Sequence, residues 1–352
     1  MPEYLAPGVY VEETSFRAKS IEGVGTSTTA FVGPARSGPV GVRSELITSL
    51  PDFERSYGGL AGLGFADAAG NNPSLNFLAH AVRAYFDNGG SRLYVVRTLG
   101  AGATSASAAL LLTGTPPAAP ADAAERVTAH ARYPGASGNG RLSLRQSVRP
   151  APQRTLDTAP VGSLARLNTG TEEVPNFSLY VKTATGWVLR GAAASTAAAS
   201  LPAGSVSLLS LSVEFVDGDG LVQVWDDIGF GPDHPRALGT VLAEHPGNRS
   251  DDLLNRVWIE VGSGVSAFEL QAAVAAANGT AFTLAGGLDG GAPALGAATQ
   301  AGSYAQGLAE LLTLEDVAIV AAPGSSAYGE AQAVQNALIG HAETRRAYRI
   351  AV

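Results

Sequence analysis

The first strongly patterned stretch of the chain is 26–33 (TSTTAFVG), a β-prone run followed by the loop-forming PARSGPVG, and it predicts a strand. Residues 45–49 (ELITS) read as a second, short strand. Ser49 then stands as an N-cap, with Pro51 in the first turn and Asp52 and Glu54 near the positive end of the dipole. A short helix is expected over 50–57, closed by Gly58-Gly59. Leu75, Leu78, Ala79, Val82, Tyr85 and Phe86 fall on one stripe at helical spacing, predicting an amphipathic helix over 73–88 with a stop at Gly89-Gly90. The run 92–97 (RLYVVR) follows as a strand too apolar for an edge. Strand, helix, helix, strand in short succession points to an α/β layer.

The texture changes after residue 100. Residues 100–123 are mainly Ala, Gly, Ser, Thr and Pro and read as a linker or mobile excursion. Strand-like segments at 126–131, 141–148, 178–182, 187–190, 207–216 and 221–225 follow, with Asp219-Gly220 as a hairpin turn. Helical pattern returns at 266–278, 300–312 and 328–346, with strands expected at 281–284, 317–321 (VAIVA) and from 348 onward. The fold class is therefore a mixed α+β and α/β one: a discontinuous α/β core with an inserted all-β domain and an extended N-terminal arm. The boundaries are 1–20 for the arm, 21–100 for the first part of the core, 101–122 for the linker, 123–265 for the β-rich insert and 266–352 for the second part of the core.

Composition narrows the chemistry. A net charge of −8 argues against a nucleic-acid footprint or an anionic membrane surface. The absence of cysteine removes disulfides, thiolate metal sites and a cysteine nucleophile. The N-terminus has no basic and apolar signal pattern, and no apolar run reaches membrane-spanning length. No G-x-S-x-G elbow is present; Gly135-Ala136-Ser137-Gly138-Asn139 fails at its last position. The five histidines (His80, His130, His234, His245, His341) form no metal-binding spacing, and neither Lys19 nor Lys182 lies in a phosphate loop. The glycine-rich stretches 59–64 and 286–291 read as loop punctuation. Asp217, Asp219, Asp226 and Asp227 begin like a calcium loop, but Ile228 stands where the bidentate Glu belongs, so a solvated hairpin turn is expected. No catalytic, cofactor or metal residue emerges, and the chain reads as a non-enzyme.

A set of segments carries a different signal. PGVYVEE (7–13), IEGVGTSTTAFVG (21–33), LITSLPDFERSYGG (46–59), AVRAYFDNGGSRLYVVR (81–97), the Pro134-Gly135-x-x-Gly138-Asn139 turn, LAGGLDG (284–290) and DVAIVAAPG (316–324) together resemble the tail sheath proteins of contractile phages and related contractile injection particles. The resemblance covers most of the chain outside the β insert. It implies stacked six-membered rings forming a helical sheath around an inner tube, whose contraction drives the tube through a target envelope. It also implies terminal arms that add strands to the sheets of neighbouring subunits; here the intersubunit arm is Pro7, Gly8, Val9, Tyr10, Val11, Glu12 and Glu13.

The residues agree, since Val9 to Glu12 are β-prone and the Pro-Gly turn aims them away from the body. A strand in the chain's own sheet is the other use of this segment. The implied partners are other copies of the chain, the inner tail tube protein, and baseplate and terminator proteins, with no nucleic acid, cofactor or membrane insertion. The implied location is a virion tail or injection particle assembled in the bacterial cytoplasm. Family members continue past the equivalent of Val352 into a tube-facing region and a C-terminal arm, so this chain alone is expected to be largely monomeric. The implied mechanism is a bistable lattice whose extended state is kinetically trapped, which needs no nucleotide. The insert is expected on the outer surface. An alternative reading makes the β-rich insert an adhesin or carbohydrate binder on a scaffold, marked by Trp187, Trp225 and Trp258 sharing one groove.

Overall fold

The fold was analysed in a computed structural model that describes residues 28–111, 118–171, 173–201, 205–344 and 348–352. β1 (Thr29–Pro34) is buried along its whole length, so it must lie inside a sheet covered on both faces. It pairs in parallel with β2 (Leu93–Thr98) and with β13 (Ile319–Ala321), and β13 carries β14 (Ile350–Ala351), also in parallel. The order is β14-β13-β1-β2.

The two-residue period of these strands splits their side chains between two helical layers. Phe31 and Val95 meet α1 (Leu50–Tyr57) and α2 (Phe77–Asp87) through Phe53, Tyr57 and Val82. Ala30, Val32, Val96 and Val320 meet α7 (Tyr304–Leu311) and α8 (Ala331–Glu343) through Leu308 and Leu338. Helix α1 starts and stops where its cap chemistry predicts: the Ser49 hydroxyl accepts from the Asp52 N–H, and Gly58 closes the last turn. Residues 45–49 do not form the expected strand. Only Ile47 bridges Leu93, because this segment, with Val40 and Arg43, runs as an irregular cover along the outer rim of β2.

The β-rich unit is built on β9 (Ser205–Val216), where Leu209, Leu211, Val213 and Phe215 are buried at every second position. β5 (Arg141–Pro150) pairs with one rim of β9, while β6 (Leu164–Asn168) and β10 (Val222–Ile228) share the other. β7 (Phe177–Thr183) and β8 (Gly186–Leu189) extend the sheet beyond β6, and β12 (Ala281–Thr283) pairs with the start of β5. A three-stranded sheet of β3 (Ser107–Ala109), β4 (Val127–Ala131) and β11 (Val257–Val261) contributes Val127, Ala129, Val257 and Ile259 to the same core as Leu142, Leu144 and Phe215. Shorter helices α3 (Gln153–Thr158), α4 (Leu238–Val241) and α5 (Arg249–Leu254) lie in the connections.

The unit takes in more chain than the sequence boundaries assigned to it. The expected linker 101–122 contributes β3 and buries Ala106 and Leu110; residues 112–117 of it lie outside the described residues. Helix α6 (Ala267–Ala277), expected with the second part of the core, buries Ala267, Leu270 and Val274 against β5 and its neighbours, and β12 follows it into the same sheet. Helical periodicity shows that a segment has a buried face but not which sheet covers it. Among the described residues, no helix is long and apolar enough to cross a membrane.

Candidate functional site: a polar junction and an open sheet edge

Where β2 ends, Arg97 turns its side chain into the seam between the two units and is fully buried there. Its guanidinium donates to the carbonyls of Ala35 (2.9 Å), Gly38 (2.8 Å) and Pro134 (2.8 Å). Burial pushes its pKa down to about 10, with the nearby Asp289 carboxylate opposing the shift, so the group remains a cation at neutral pH. Asp289 accepts from the backbone N–H groups of Gly64 and Ala136, both at 2.6 Å, and so ties the loop before α2 to the turn that opens the β-rich unit. Gly135 holds that turn at φ 136; a Cβ there would meet the Arg36 carbonyl at 2.9 Å and the Asp289 carboxylate at 3.0 Å. Asn139 completes the stitch, donating to the Gly287 carbonyl and accepting from the Gly287 N–H, each at 2.8 Å.

A second pin sits beside the first. The Asp217 carboxylate accepts from Arg256 Nη1 at 2.8 Å, with both side chains buried, and from the N–H groups of Asp219 and Leu221. Arg256 also donates to the carbonyls of Glu54 and Arg55 at the end of α1. Arg36 pairs with Asp219 and donates to the Gly62 carbonyl. Burial raises the Asp217 carboxyl above the usual carboxylate range, with Arg256 acting against it.

The 217–220 turn joins β9 to β10 as the expected hairpin, but its acidic residues are not solvated. Its first and third residues are the anions that fasten the β-rich unit to α1 and to the loop after β1. Asp226 and Asp227 leave the cluster, binding Ser212 and Arg149 instead. The glycine-rich stretches 59–64 and 286–291 likewise do more than punctuate loops, since Gly64 and Asp289 meet across the seam.

This arrangement organises backbone across the seam. The Asp289 and Asp217 carboxylates are taken up by N–H and guanidinium donors. The adjacent cavity, about 330 Å³ between the 44–57 segment and α5, has Ile47, Leu253 and Leu254 on its wall and the Arg249–Glu45 pair at its edge. Asp52, also on that cavity, is held below the usual carboxylate range by the Ser49 and Thr48 hydroxyls. Among the described residues, no three His or carboxylate groups converge as a metal site. The histidines are dispersed: His80 and His245 are exposed, His130 stacks on Trp258, His234 accepts from the Arg236 N–H, and His341 meets Arg349.

The three tryptophans do not share a groove. Trp187 is buried with Leu156 and Leu201, Trp225 packs partly on the main β-rich core, and Trp258 stands on the three-stranded sheet against His130.

The rims of the core sheet are unequal. The outer rim of β2 is covered by residues 40–47. β14, at the opposite rim, pairs only with β13 among the described residues, and Tyr348, Ile350 and Val352 are 89%, 66% and 79% exposed. Ala351 packs inward against the α7 and α8 side. Ile350 and Val352 alternate with it and so present apolar groups on the other face. The predicted arm, Pro7 to Glu13, lies outside the described residues. No family model matches the chain, and no curated protein matches it in sequence.

Proposed function

We propose that this chain is the structural subunit of a contractile tail sheath, polymerising as stacked hexameric rings around an inner tube and contracting to drive that tube through a target envelope. The observation that carries the reading is the open rim at β14. A parallel sheet covered by helices on both faces normally buries its strands, yet here one rim exposes main chain and three large apolar side chains. Such a rim accepts a strand from another copy through main-chain hydrogen bonds, with Ile350 and Val352 supplying side-chain contacts. The β-prone segment Val9 to Glu12 is the strand it would receive, in keeping with the resemblance to sheath proteins.

The junction supports the same reading. Two guanidinium-centred pins bind the core and the β-rich unit at Arg97 and Arg256, so the subunit can shift as one body while contacts between subunits rearrange. The partners that follow are other copies of the chain, the inner tube protein and the proteins at the ends of the sheath, within a virion tail or injection particle.

Negative-stain electron microscopy of the chain co-expressed with the inner tube protein of its source tests the proposal, the chain alone serving as the largely monomeric reference. Striated tubes or contracted sheaths are expected with the tube protein, and Ile350→Asp with Val352→Asp should abolish them while leaving thermal unfolding unchanged. Failure of the unmodified chain to form any ordered polymer with the tube protein would overturn the reading.

A further inference from the structure

We propose that the contact between His341 and Arg349 is an acid-sensitive latch that keeps β14 on the core sheet and lets it go in mildly acidic surroundings. Arg349 immediately precedes β14, and its side chain is buried although both neighbours are exposed. It donates from Nε to the Val317 carbonyl at 3.3 Å and from Nη2 to the carbonyls of Leu311, at 2.7 Å, and Leu314. Nη1 lies 2.7 Å from His341 Nε2. All four partners are neutral acceptors. Because a guanidinium can only donate, the imidazole nitrogen facing it must carry a lone pair, which fixes His341 as the neutral tautomer protonated at Nδ1.

A proton on Nε2 would remove that acceptor and set two cations against each other in a buried site. Besides these contacts, Ala351 packs on the α7 and α8 side and the rest of the strand's hold is main-chain pairing. β14 matches β13 at two register positions, through hydrogen bonds such as Ile350 N–H to Ala318 (2.9 Å) and Val352 N–H to Val320 (3.0 Å).

Among the described residues, no carboxylate hydrogen-bonds His341, and the Asp316 charge acts on Arg349 only at a distance. Of the ionisable groups around it, α7 carries Tyr304 and Glu310, the connector before β13 carries Glu315 and Asp316, and α8 carries Glu343 near its end. None of these hydrogen-bonds His341 or Arg349 among the described residues, and Asp316 is bound by Arg92 and Tyr94.

Burial first, and the Arg349 charge second, hold the His341 pKa down to about 4. With the strand released, the imidazole loses the Arg349 charge and the burial that β14 supplies and rises toward its ordinary value near 6.5. The released form is therefore the better proton acceptor between those limits, and the latch is intact above about pH 6.5 and weakens as pH falls toward 4. For a full return to that value, the linkage relation makes the released fraction rise about 20-fold from pH 7 to pH 5 and about 100-fold by pH 4.

Hydrogen exchange on the full chain between pH 7 and pH 4, corrected for intrinsic rates, reads this directly. The Ile350 and Val352 amides should lose protection by those factors while the β5 and β9 amides keep theirs. His341→Gln, which retains an acceptor but no titrating group, should give pH-independent protection. Unchanged protection in the native chain down to pH 4, or an equal loss in His341→Gln, would overturn the latch. Should that variant misfold, nitrogen NMR of His341 in the native chain decides the matter: a neutral Nδ1-protonated ring at pH 5 supports the latch, and titration near 6.5 refutes it.

Discussion

Replacing Asp289 by Asn tests whether the seam, and not merely each core by itself, sets the stability of the molecule. The substitution keeps shape and volume at a site only 5% exposed. The carboxylate uses one oxygen for the Gly64 N–H and the other for the Ala136 N–H, both at 2.6 Å. An amide can accept from only one of them; its NH₂ must face the other donor. One buried N–H is thus left unpaired, and a charge-assisted hydrogen bond worth about 1.5–3 kcal/mol is lost. The buried Arg97 cation also loses the anion that opposes its desolvation.

The expected destabilisation is about 3 kcal/mol, roughly a hundredfold in the folding equilibrium. Urea unfolding offers two probes. All three tryptophans lie in the β-rich unit, so fluorescence follows that unit, whereas far-ultraviolet circular dichroism also weighs α1, α2, α7 and α8 around the core sheet. The native chain should show coincident transitions, and Asp289→Asn should shift and separate them. A loss below about 1 kcal/mol with transitions still coincident would show that the units hold together without the seam.

Asp217→Ala should cost about 3–5 kcal/mol by stranding the Arg256 cation, and adding Arg256→Met should recover much of that, which a double-mutant cycle in urea would show as strong coupling. Gly307→Ala would place a Cβ 2.6 Å from Val32 Cγ1, forcing α7 away from β1; overpacking of about 1–3 kcal/mol should outweigh the helix-propensity gain and lower the thermal midpoint. Glu45→Gln removes an ion pair whose side chains are 67% and 68% exposed, so urea unfolding should change by less than about 0.5 kcal/mol.

Local chemistry was well written in the sequence. Ser49, Pro51 and Gly58 bound α1 as read, and the apolar alternation of 207–216 marks β9 with its buried residues 209 to 215. What escaped reading depends on distant partners. Asp217 looks solvated beside Gly218, Asp219 and Gly220, because its neutralising Arg256 is 39 residues further on. Asp289 looks like loop punctuation because its two donors lie 225 and 153 residues away. The clue for Arg97 was a charged residue ending an otherwise apolar strand, a position where only a dense set of acceptors makes burial tolerable. β11 could have been found from the alternation in VWIEV, whereas the two-sided pairing of β9 with β6 and β10 has no local signature.

Four of the seven segments that carry the resemblance to sheath proteins meet in space. Arg97 closes the stretch 81–97, Gly58 and Gly59 close 46–59, Pro134 to Asn139 form the turn, and Asp289 sits in 284–290; all four adjoin one seam. A glycine that clears space for a carbonyl, or an aspartate that gathers two N–H groups, constrains one residue in each of two remote stretches and leaves the residues between them free. The converging carboxylates and guanidiniums are engaged with backbone and with one another, and the rim at β14 places exposed Ile350 and Val352 at the end of the core sheet. Rigidity within and joining at the edge are what the proposed sheath subunit requires.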